Sequence, residues 1–133
     1  MTTTGKMELM APAGNFESMQ AALDNGADSI YFGVEQLNMR ARASINFTLD
    51  DLKEISDRCK AKNVRTYLTL NTIIYDHDLS IVKTLIQKAK DADITAVIAM
   101  DQAVIATARA IGMEIHISTQ INITNIETVK FYA

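Results

Sequence analysis

The residues best suited to chemistry are concentrated near the C terminus, in the stretch His116-Ile117-Ser118-Thr119-Gln120-Ile121-Asn122. This stretch and the two residues before it alternate between polar and mostly apolar side chains, which predicts a β-strand with two distinct faces. The polar face would carry Glu114, His116, Ser118 and Gln120. The other face would carry Ile115, Ile117 and Thr119. Imidazole, hydroxyl and carboxamide groups are costly to bury without partners. The pattern therefore fits either a wall of a binding site or an edge strand whose polar face meets water.

A second group of polar side chains lies between residues 35 and 47, a stretch that is long for a connection between a strand and a helix. It holds Asn38, Arg40, Arg42 and Asn46. Guanidinium groups match carboxylates and phosphates, so this loop could bind an anion or a nucleobase. The alternative is an ordinary solvated surface loop.

The histidines and serines exclude two kinds of peptidase site in this sequence. Its two histidines, His77 and His116, are not part of a His-Glu-x-x-His helix, which excludes a zincin-type metalloprotease. Ser118 lies two residues from His116 on the predicted strand, about 6–7 Å away, which is long for a nucleophile–base pair. No glycine-flanked nucleophile elbow surrounds Ser118. We therefore assign no catalytic residue and no metal ligand from the sequence.

Five βα units in strict alternation predict a parallel sheet with helical crossovers. The strands are predicted at 7–11, 29–34, 64–70, 96–100 and in the His116 stretch. Three of the helices are expected to begin at Asn15, Asp78 and Asp101, and the last one at a capping box that starts at Thr124. The second helix is expected to begin at Thr48-Leu49-Asp50-Asp51. Cys59 falls on the apolar stripe of that helix, so we expect it to be a buried structural thiol.

Strand composition favours a barrel over a flat sheet covered by helices on both faces. Strand two alternates Ser29, Tyr31 and Gly33 with apolar residues, and strand three does the same with Arg65, Tyr67, Thr69 and Asn71. One apolar face under helices and one polar face turned inward is what a (βα) barrel requires. Closure takes eight strands, so residues 7–133 are predicted to form the N-terminal part of a TIM-barrel-like α/β domain. Residues 1–6 are expected to be disordered or extended.

Sites in such folds lie at the carboxyl ends of the strands. The polar residues that this rule gathers form our set of candidate substrate-binding residues: Asn15, Tyr31, Arg40, Arg42, Asn46, Asn71, His116, Ser118 and Gln120. The expected ligand is anionic or bears a carbonyl group. The arginines would hold it, while His116, Gln120 and Asn71 would orient it.

Composition excludes several other classes of protein. Hydrophobic residues make up 48% of the chain and charged residues 22%, which is an ordinary balance for a globular domain. The net charge of −3 gives no electrostatic footprint for nucleic acid. A single cysteine, the lack of a readable signal peptide and the lack of a long apolar run predict a reducing, cytoplasmic location and no membrane contact.

Five blocks of sequence, in order along the chain, resemble the collagenase-like peptidase family U32. The blocks are Leu9-Met10-Ala11-Pro12-Ala13-Gly14-Asn15, Gly26-Ala27-Asp28-Ser29-Ile30-Tyr31-Phe32-Gly33, Arg40-Ala41-Arg42-Ala43 with Asn46-Phe47-Thr48, Thr69-Leu70-Asn71-Thr72, and His116-Ile117-Ser118-Thr119-Gln120. The resemblance implies a barrel-like domain in bacterial proteins. Some members are classed as peptidases of undefined mechanism, and others act in hydroxylation of tRNA or rRNA bases or of ubiquinone precursors. The cysteine-rich signature of the family would lie beyond Ala133. We therefore expect no cofactor within this segment, and any iron–sulfur cluster in a C-terminal part.

Three functions follow as hypotheses. The chain is a segment of a hydrolase that acts on peptides, a segment of an enzyme that modifies RNA or a small aromatic compound, or a folded, non-catalytic fragment. We further predict the strand order 1-2-3-4-5 with helices on the outer face. Because an open sheet edge tends to pair, self-association of the isolated segment is also expected.

Overall fold

The computed structural model describes residues 5–35 and 47–133. Strands and helices alternate along this part of the chain. The strands are β1 (Met10–Pro12), β2 (Ser29–Phe32), β3 (Arg65–Leu70), β4 (Ala96–Ala99) and β5 (Glu114–Ile117). The helices are α1 (Phe16–Asp24), α2 (Leu52–Ala61), α3 (Leu79–Asp91), α4 (Gln102–Ile111) and α5 (Ile126–Tyr132). Short 3-10 turns at Leu49–Asp51, Asp76–Asp78 and Thr119–Ile121 precede α2 and α3 and follow β5.

The five strands form one parallel sheet in the order β1-β2-β3-β4-β5, as the sequence predicted. The register is continuous across the sheet. Tyr31 lies beside Tyr67, and Tyr67 lies beside Ala96. In the next step across the sheet, Ala96 lies beside Glu114. Parallel neighbours in sequential order require a helical crossover between each pair of strands, which α1 to α4 provide.

The hydrophobic core lies on one side of the sheet, between the strands and the helices. The sheet contributes alternate residues, such as Ile30 and Phe32 of β2 and Leu68 and Leu70 of β3. The helices contribute their buried side chains, which are Met19 and Leu23 of α1; Leu52, Ile55 and Cys59 of α2; Val82, Leu85, Ile86 and Ala89 of α3; and Val104 and Ala108 of α4. Each fully buried large aliphatic side chain stabilises the fold by about 1.5–3 kcal/mol. The helices therefore cover a single face, as expected for part of a barrel.

The helix boundaries follow from local hydrogen bonding. Asn15 begins α1, because its Oδ1 accepts a hydrogen bond from the Ser18 amide at 2.8 Å. The Asp51 carboxylate accepts from the Thr48 amide at 2.7 Å before α2. Gly112 ends α4 with φ of +77°, a left-handed conformation that glycine adopts without a Cβ clash.

Several predicted boundaries were wrong: β2 ends at Phe32, β3 begins at Arg65 and β4 ends at Ala99. Three further differences occur where a side chain bonds to a backbone amide. β1 begins at Met10 rather than at residue 7, since the Leu9 amide donates to the Asp28 carboxylate at 2.9 Å. β5 ends at Ile117, since the Ser118 hydroxyl accepts from the Gln120 amide and starts a turn. The last helix is capped by Asn125, which accepts from the Thr128 amide, and not by Thr124.

The single cysteine lies in the core, as predicted. Cys59 is fully buried on the inward side of α2, and burial raises the pKa of its thiol to about 11. The thiolate is the reactive form, so this group stays protonated and inert at neutral pH. Among the described helices, none has the length and apolar character required to cross a membrane.

Candidate functional site

The sheet face opposite the helices, called here the inner face, holds the polar strand residues. Alternation and register place these side chains on it: Met10, Pro12, Ser29, Tyr31, Arg65, Tyr67, Thr69, Ala96, Ile98, Glu114 and His116. The face is not uniformly exposed. Ser29, Tyr67 and Ala96 are buried, whereas Arg65 and Glu114 are exposed.

Four of the inner-face side chains and Glu8, which precedes β1, form a connected polar group, called here the inner-face cluster: Glu8, Arg65, Tyr67, Glu114 and His116. The Tyr67 hydroxyl donates to Glu8 Oε1 at 2.8 Å, and the Arg65 guanidinium pairs with the other oxygen of the same carboxylate. The Tyr67 ring lies against the His116 imidazole, with centroids 4.7 Å apart. His116 Nε2 contacts Glu114 Oε1 at 2.8 Å. The cluster thus joins β3, β5 and the segment before β1.

The two ends of the Glu8–Tyr67 hydrogen bond have opposite pKa shifts. The pKa of Glu8 is lowered, first by the nearby Ser29 hydroxyl, then by the Tyr67 hydroxyl and the charge of Arg65. Ser29 Oγ is buried, and its approach to Glu8 falls short of a well-formed hydrogen bond. Burial raises the pKa of Tyr67 to about 12, helped by the bond to Glu8 and by its charge. At neutral pH a protonated phenol therefore donates to an ionised carboxylate.

His116 is held from two sides, which fixes the direction of its ring. Glu114 accepts the hydrogen bond of one ring nitrogen, while the ring face packs on Tyr67. Among the described residues, the second ring nitrogen, Nδ1, has no hydrogen-bond partner. A carboxylate bonded to an imidazole is the arrangement by which many enzymes orient a histidine that accepts or donates a proton. About 40% of the His116 side chain is exposed, so a ligand on the inner face can reach it.

His116 is the next-to-last residue of β5 and so lies near the carboxyl ends of the strands, where the sequence placed it. It is in register with Ile98, and Ile98 with Thr69, so Asn71 lies two residues further along and beyond the end of β3. Glu114 and Arg65 are the first residues of their strands, so the inner-face cluster extends from His116 toward the amino ends of the strands.

Other predicted site residues have local structural roles. The Asn15 side chain caps α1, and Ser118 Oγ caps the turn that follows β5. Gln120 lies in that turn and is exposed, so it does not share a strand face with His116. Tyr31 and Asn71 are half-buried, with Tyr31 in register with Tyr67. The hydroxyl of Ser118 is buried and occupied, which also argues against a nucleophilic role.

The predicted anion-binding loop has four candidate residues outside the described part of the chain: Asn38, Arg40, Arg42 and Asn46. Their assignment as ligand-binding residues stays a prediction. The described residues hold no group of three or more His, Cys, Asp or Glu side chains that could bind a metal ion.

Two residues of functional interest were missed from the sequence. Glu8 precedes the predicted polar strands and meets Tyr67 across 59 positions of chain, so no local pattern could have indicated it. Asp101 was predicted only as a helix cap. Its Oδ1 does accept from the Ala103 amide at 2.8 Å, but Oδ2 also accepts from the Ile74 amide at 3.1 Å. It therefore fixes the connection from β3 to α3.

The fold and the inner face define one part of a (βα) barrel, with helices outside and a polar group inside. The sequence matches Peptidase family U32 over residues 14–133. The chain belongs to this family, as the sequence blocks indicated.

Individual relatives and a solved structure agree with this membership. The chain is 51% identical over 126 residues to a collagenase of Porphyromonas gingivalis, covering 95% of this chain and 30% of that protein. It is 30% identical over 131 residues to the tRNA hydroxylation protein P1 of Bacillus subtilis, covering 97% of this chain and 31% of the relative. A solved U32 peptidase structure superposes with a TM-score of 0.65 at 13% identity, covering 91% of this chain and 52% of that one. This superposition confirms the predicted fold class. The chain spans less than a third of the length of the collagenase and of the tRNA hydroxylation protein.

Proposed function

We propose that this chain forms the substrate-binding part of the barrel in a collagenase-like peptidase. One observation carries the proposal: the identity to the Porphyromonas collagenase is 51%, against 30% to the tRNA hydroxylation protein, over almost the same residues. The inner face suits a peptide. It offers an oriented imidazole at His116 and an exposed guanidinium at Arg65. Peptide carbonyls accept hydrogen bonds from such donors.

The proposed role of His116 is to bind the substrate, or to exchange a proton with it. The ring nitrogen that does not contact Glu114 would do this. Glu114 acts as a positioning residue, because it contacts the imidazole and fixes its direction. The described residues do not supply a complete hydrolytic set, since the Ser118 hydroxyl is buried and engaged in a cap. We infer that residues other than the described ones complete the chemistry.

The test uses the full-length protein that contains this segment, with gelatin and a fluorogenic collagen peptide as substrates. His116→Ala should lower kcat/KM at least about a hundredfold, in the range by which positioned acid–base groups act. Glu114→Gln should lower it less and change its pH profile. Glu54→Gln is the matched control, because that glutamate is exposed and lies on α2, outside the inner face. Full turnover in His116→Ala, with an unchanged melting temperature, would place the centre elsewhere.

A second candidate function is tRNA hydroxylation. The relative from Bacillus subtilis supports it, since the match covers 97% of this chain. Against it stands the net charge of −3, because RNA binding depends on basic surface. An iron–sulfur cluster could not use the cysteine of this chain, which is buried in the core. Any cluster ligands would come from outside residues 1–133.

Deletion of the gene distinguishes the two candidate functions. Nucleoside mass spectrometry of total tRNA should show no loss of a hydroxylated nucleoside if the peptidase proposal holds. Loss of the modified nucleoside, restored by the wild-type gene but not by His116→Ala, would establish the second function instead.

A further inference from the structure

Glu8 lies on the segment before β1, yet its side chain is bonded to the middle strand of the sheet. The Tyr67 hydroxyl donates to Glu8 Oε1 at 2.8 Å, and the Arg65 guanidinium pairs with Glu8 Oε2. The neighbouring backbone is anchored as well, because the Leu9 amide donates to the Asp28 carboxylate at 2.9 Å. Two side-chain partners and an anchored neighbour therefore hold the Glu8 carboxylate in one place.

The Tyr67 ring connects Glu8 to His116. Its hydroxyl end is bonded to Glu8, and its ring lies 4.7 Å from the imidazole between centroids, with the planes at 54°. Ala96 on β4 lies between them, in register with Tyr67 on one side and with Glu114 on the other. The small Ala96 side chain leaves the Tyr67 ring room to extend across β4 toward β5. A ring that is fixed at its hydroxyl end can move less against the imidazole.

The two carboxylates of the inner-face cluster have separate partners. Glu8 pairs with Arg65, while Glu114 Oε1 contacts His116 Nε2 at 2.8 Å. An ionised carboxylate only accepts hydrogen bonds, so Nε2 carries the ring proton and Nδ1 holds the lone pair. Burial raises the pKa of Tyr67, and the bond to Glu8 and the charges of Glu8 and Glu114 raise it further. Without Glu8, Glu114 would be the one carboxylate of the cluster left for Arg65, in competition with His116.

We propose that Glu8 is a positioning residue for His116, which it orients through the Tyr67 ring and by engaging Arg65. The inference rests on the proposed function, in which His116 acts on the substrate. Glu8 need not contact the substrate, because it acts through its two partners. The imidazole then keeps its bond to Glu114 and presents Nδ1 to the substrate. A small displacement of an acting group lowers the rate even when the group itself is intact.

Nuclear magnetic resonance of the full-length protein, labelled in histidine and tyrosine, tests this orientation without measuring activity. Histidine is ordinarily neutral at about pH 9, where nitrogen shifts show which ring nitrogen carries the proton. The wild type should show the proton on Nε2 of His116 and a nuclear Overhauser contact between the Tyr67 and His116 rings. Glu8→Ala should weaken the contact and give a mixture of both proton positions. Tyr67→Phe, which keeps the ring and loses the bond to Glu8, should do the same.

Two further variants separate the proposed role from a general effect of losing a carboxylate. Glu8→Gln still accepts from the Tyr67 hydroxyl, so it should retain most of the ring contact. Glu54→Ala is the matched control, because Glu54 also pairs with an arginine, Arg58, but on α2 and outside the inner face. It should leave both signals as in the wild type.

Kinetics with the collagen peptide give a second readout. Glu8→Ala should lower kcat about tenfold, a part of what loss of the imidazole costs, and leave KM nearly unchanged. The same substitution in the His116→Ala background should cost nothing further, since the group that it orients is gone. A purely structural role would lower kcat equally in both backgrounds.

Several results would overturn the inference. They are unchanged ring signals in Glu8→Ala, signals in Glu54→Ala that change as much, and an equal loss of kcat in the two backgrounds. Failure of the proposed function is distinguishable, because full turnover in His116→Ala would refute that function and leave the resonance result standing.

Discussion

Tyr67 connects parts of the chain that are far apart in sequence. Its side chain is 3% exposed, its hydroxyl reaches Glu8 and its ring supports His116. A buried hydroxyl needs a partner, and here the partner is a carboxylate on the segment before β1. The N-terminal segment and the histidine of β5 are thereby positioned by one residue of the middle strand.

Removing the Tyr67 hydroxyl should affect stability in a pH-dependent way. Tyr67→Phe keeps the ring and loses the bond to Glu8, which should lower the free energy of unfolding by about 1 kcal/mol at pH 7. The pKa of Glu8 is depressed from 4.5 in the folded chain. Its contribution is therefore present above that value and lost as the pH falls through the depressed folded pKa. Urea unfolding from pH 7 to pH 3 should show the two proteins converging in acid.

Tyr132→Phe is the control for this comparison. Within the described part of the chain, the Tyr132 hydroxyl forms a hydrogen bond only with the Gln102 side chain, at 3.4 Å, so its removal should leave stability unchanged. A stability difference between Tyr67→Phe and the wild type that stays constant down to pH 3 would contradict the role assigned to Glu8.

At the scale of the elements, Asp101 joins the start of α4 to the connection between β3 and α3. Asp101→Ala removes a helix cap and a loop anchor together, so we expect a loss of about 1–3 kcal/mol. Urea unfolding measures the loss. Hydrogen exchange of the Ile74 amide should also become faster, because its acceptor is gone.

Asn125→Ala is the matched cap variant. Asn125 caps α5, a helix that buries no residue, so the expected loss is only about 0.5 kcal/mol. Equal losses in Asp101→Ala and Asn125→Ala, with unchanged exchange at Ile74, would show that Asp101 acts only as a cap.

The elements were predictable from sequence because their signals are local. Alternation along β2 and β3 and the cap at Asn15 depend on neighbouring residues, and the sequential strand order followed from the polar faces of strands two, three and five. Alternation indicated four members of the inner-face cluster, Arg65, Tyr67, Glu114 and His116, but could not indicate Glu8. The direction of the His116 ring toward Glu114 depends on side-chain torsion angles, which the pattern does not determine.

At the scale of the whole molecule, β1 and β5 form the two outer edges of the sheet. α5 adds exposed Ile126, Val129 and Phe131 beside the end of β5. Open edges and grouped apolar side chains both favour pairing. We therefore predict that the 133-residue chain self-associates, with a weight-average mass in sedimentation equilibrium that rises with concentration.

Val129→Asp combined with Phe131→Asp should shift this equilibrium toward the monomer. Leu79→Asp, at the start of α3, is the control for a change of charge at a different exposed apolar residue. A wild-type chain that stays monomeric at every concentration would contradict the prediction, as would dissociation caused equally by both sets of variants.

The order of the strands in the sheet is also the order in which the ribosome makes them. Each strand from β2 onward pairs with the one synthesised just before it, so no strand has to wait for a distant partner. Chain growth and sheet growth can therefore proceed together from β1, with helices closing over the core as they emerge. During synthesis the newest strand always offers the free edge, and the next strand to emerge is the nearest one able to occupy it. Vectorial synthesis thereby protects a nascent chain whose edges would otherwise recruit other chains.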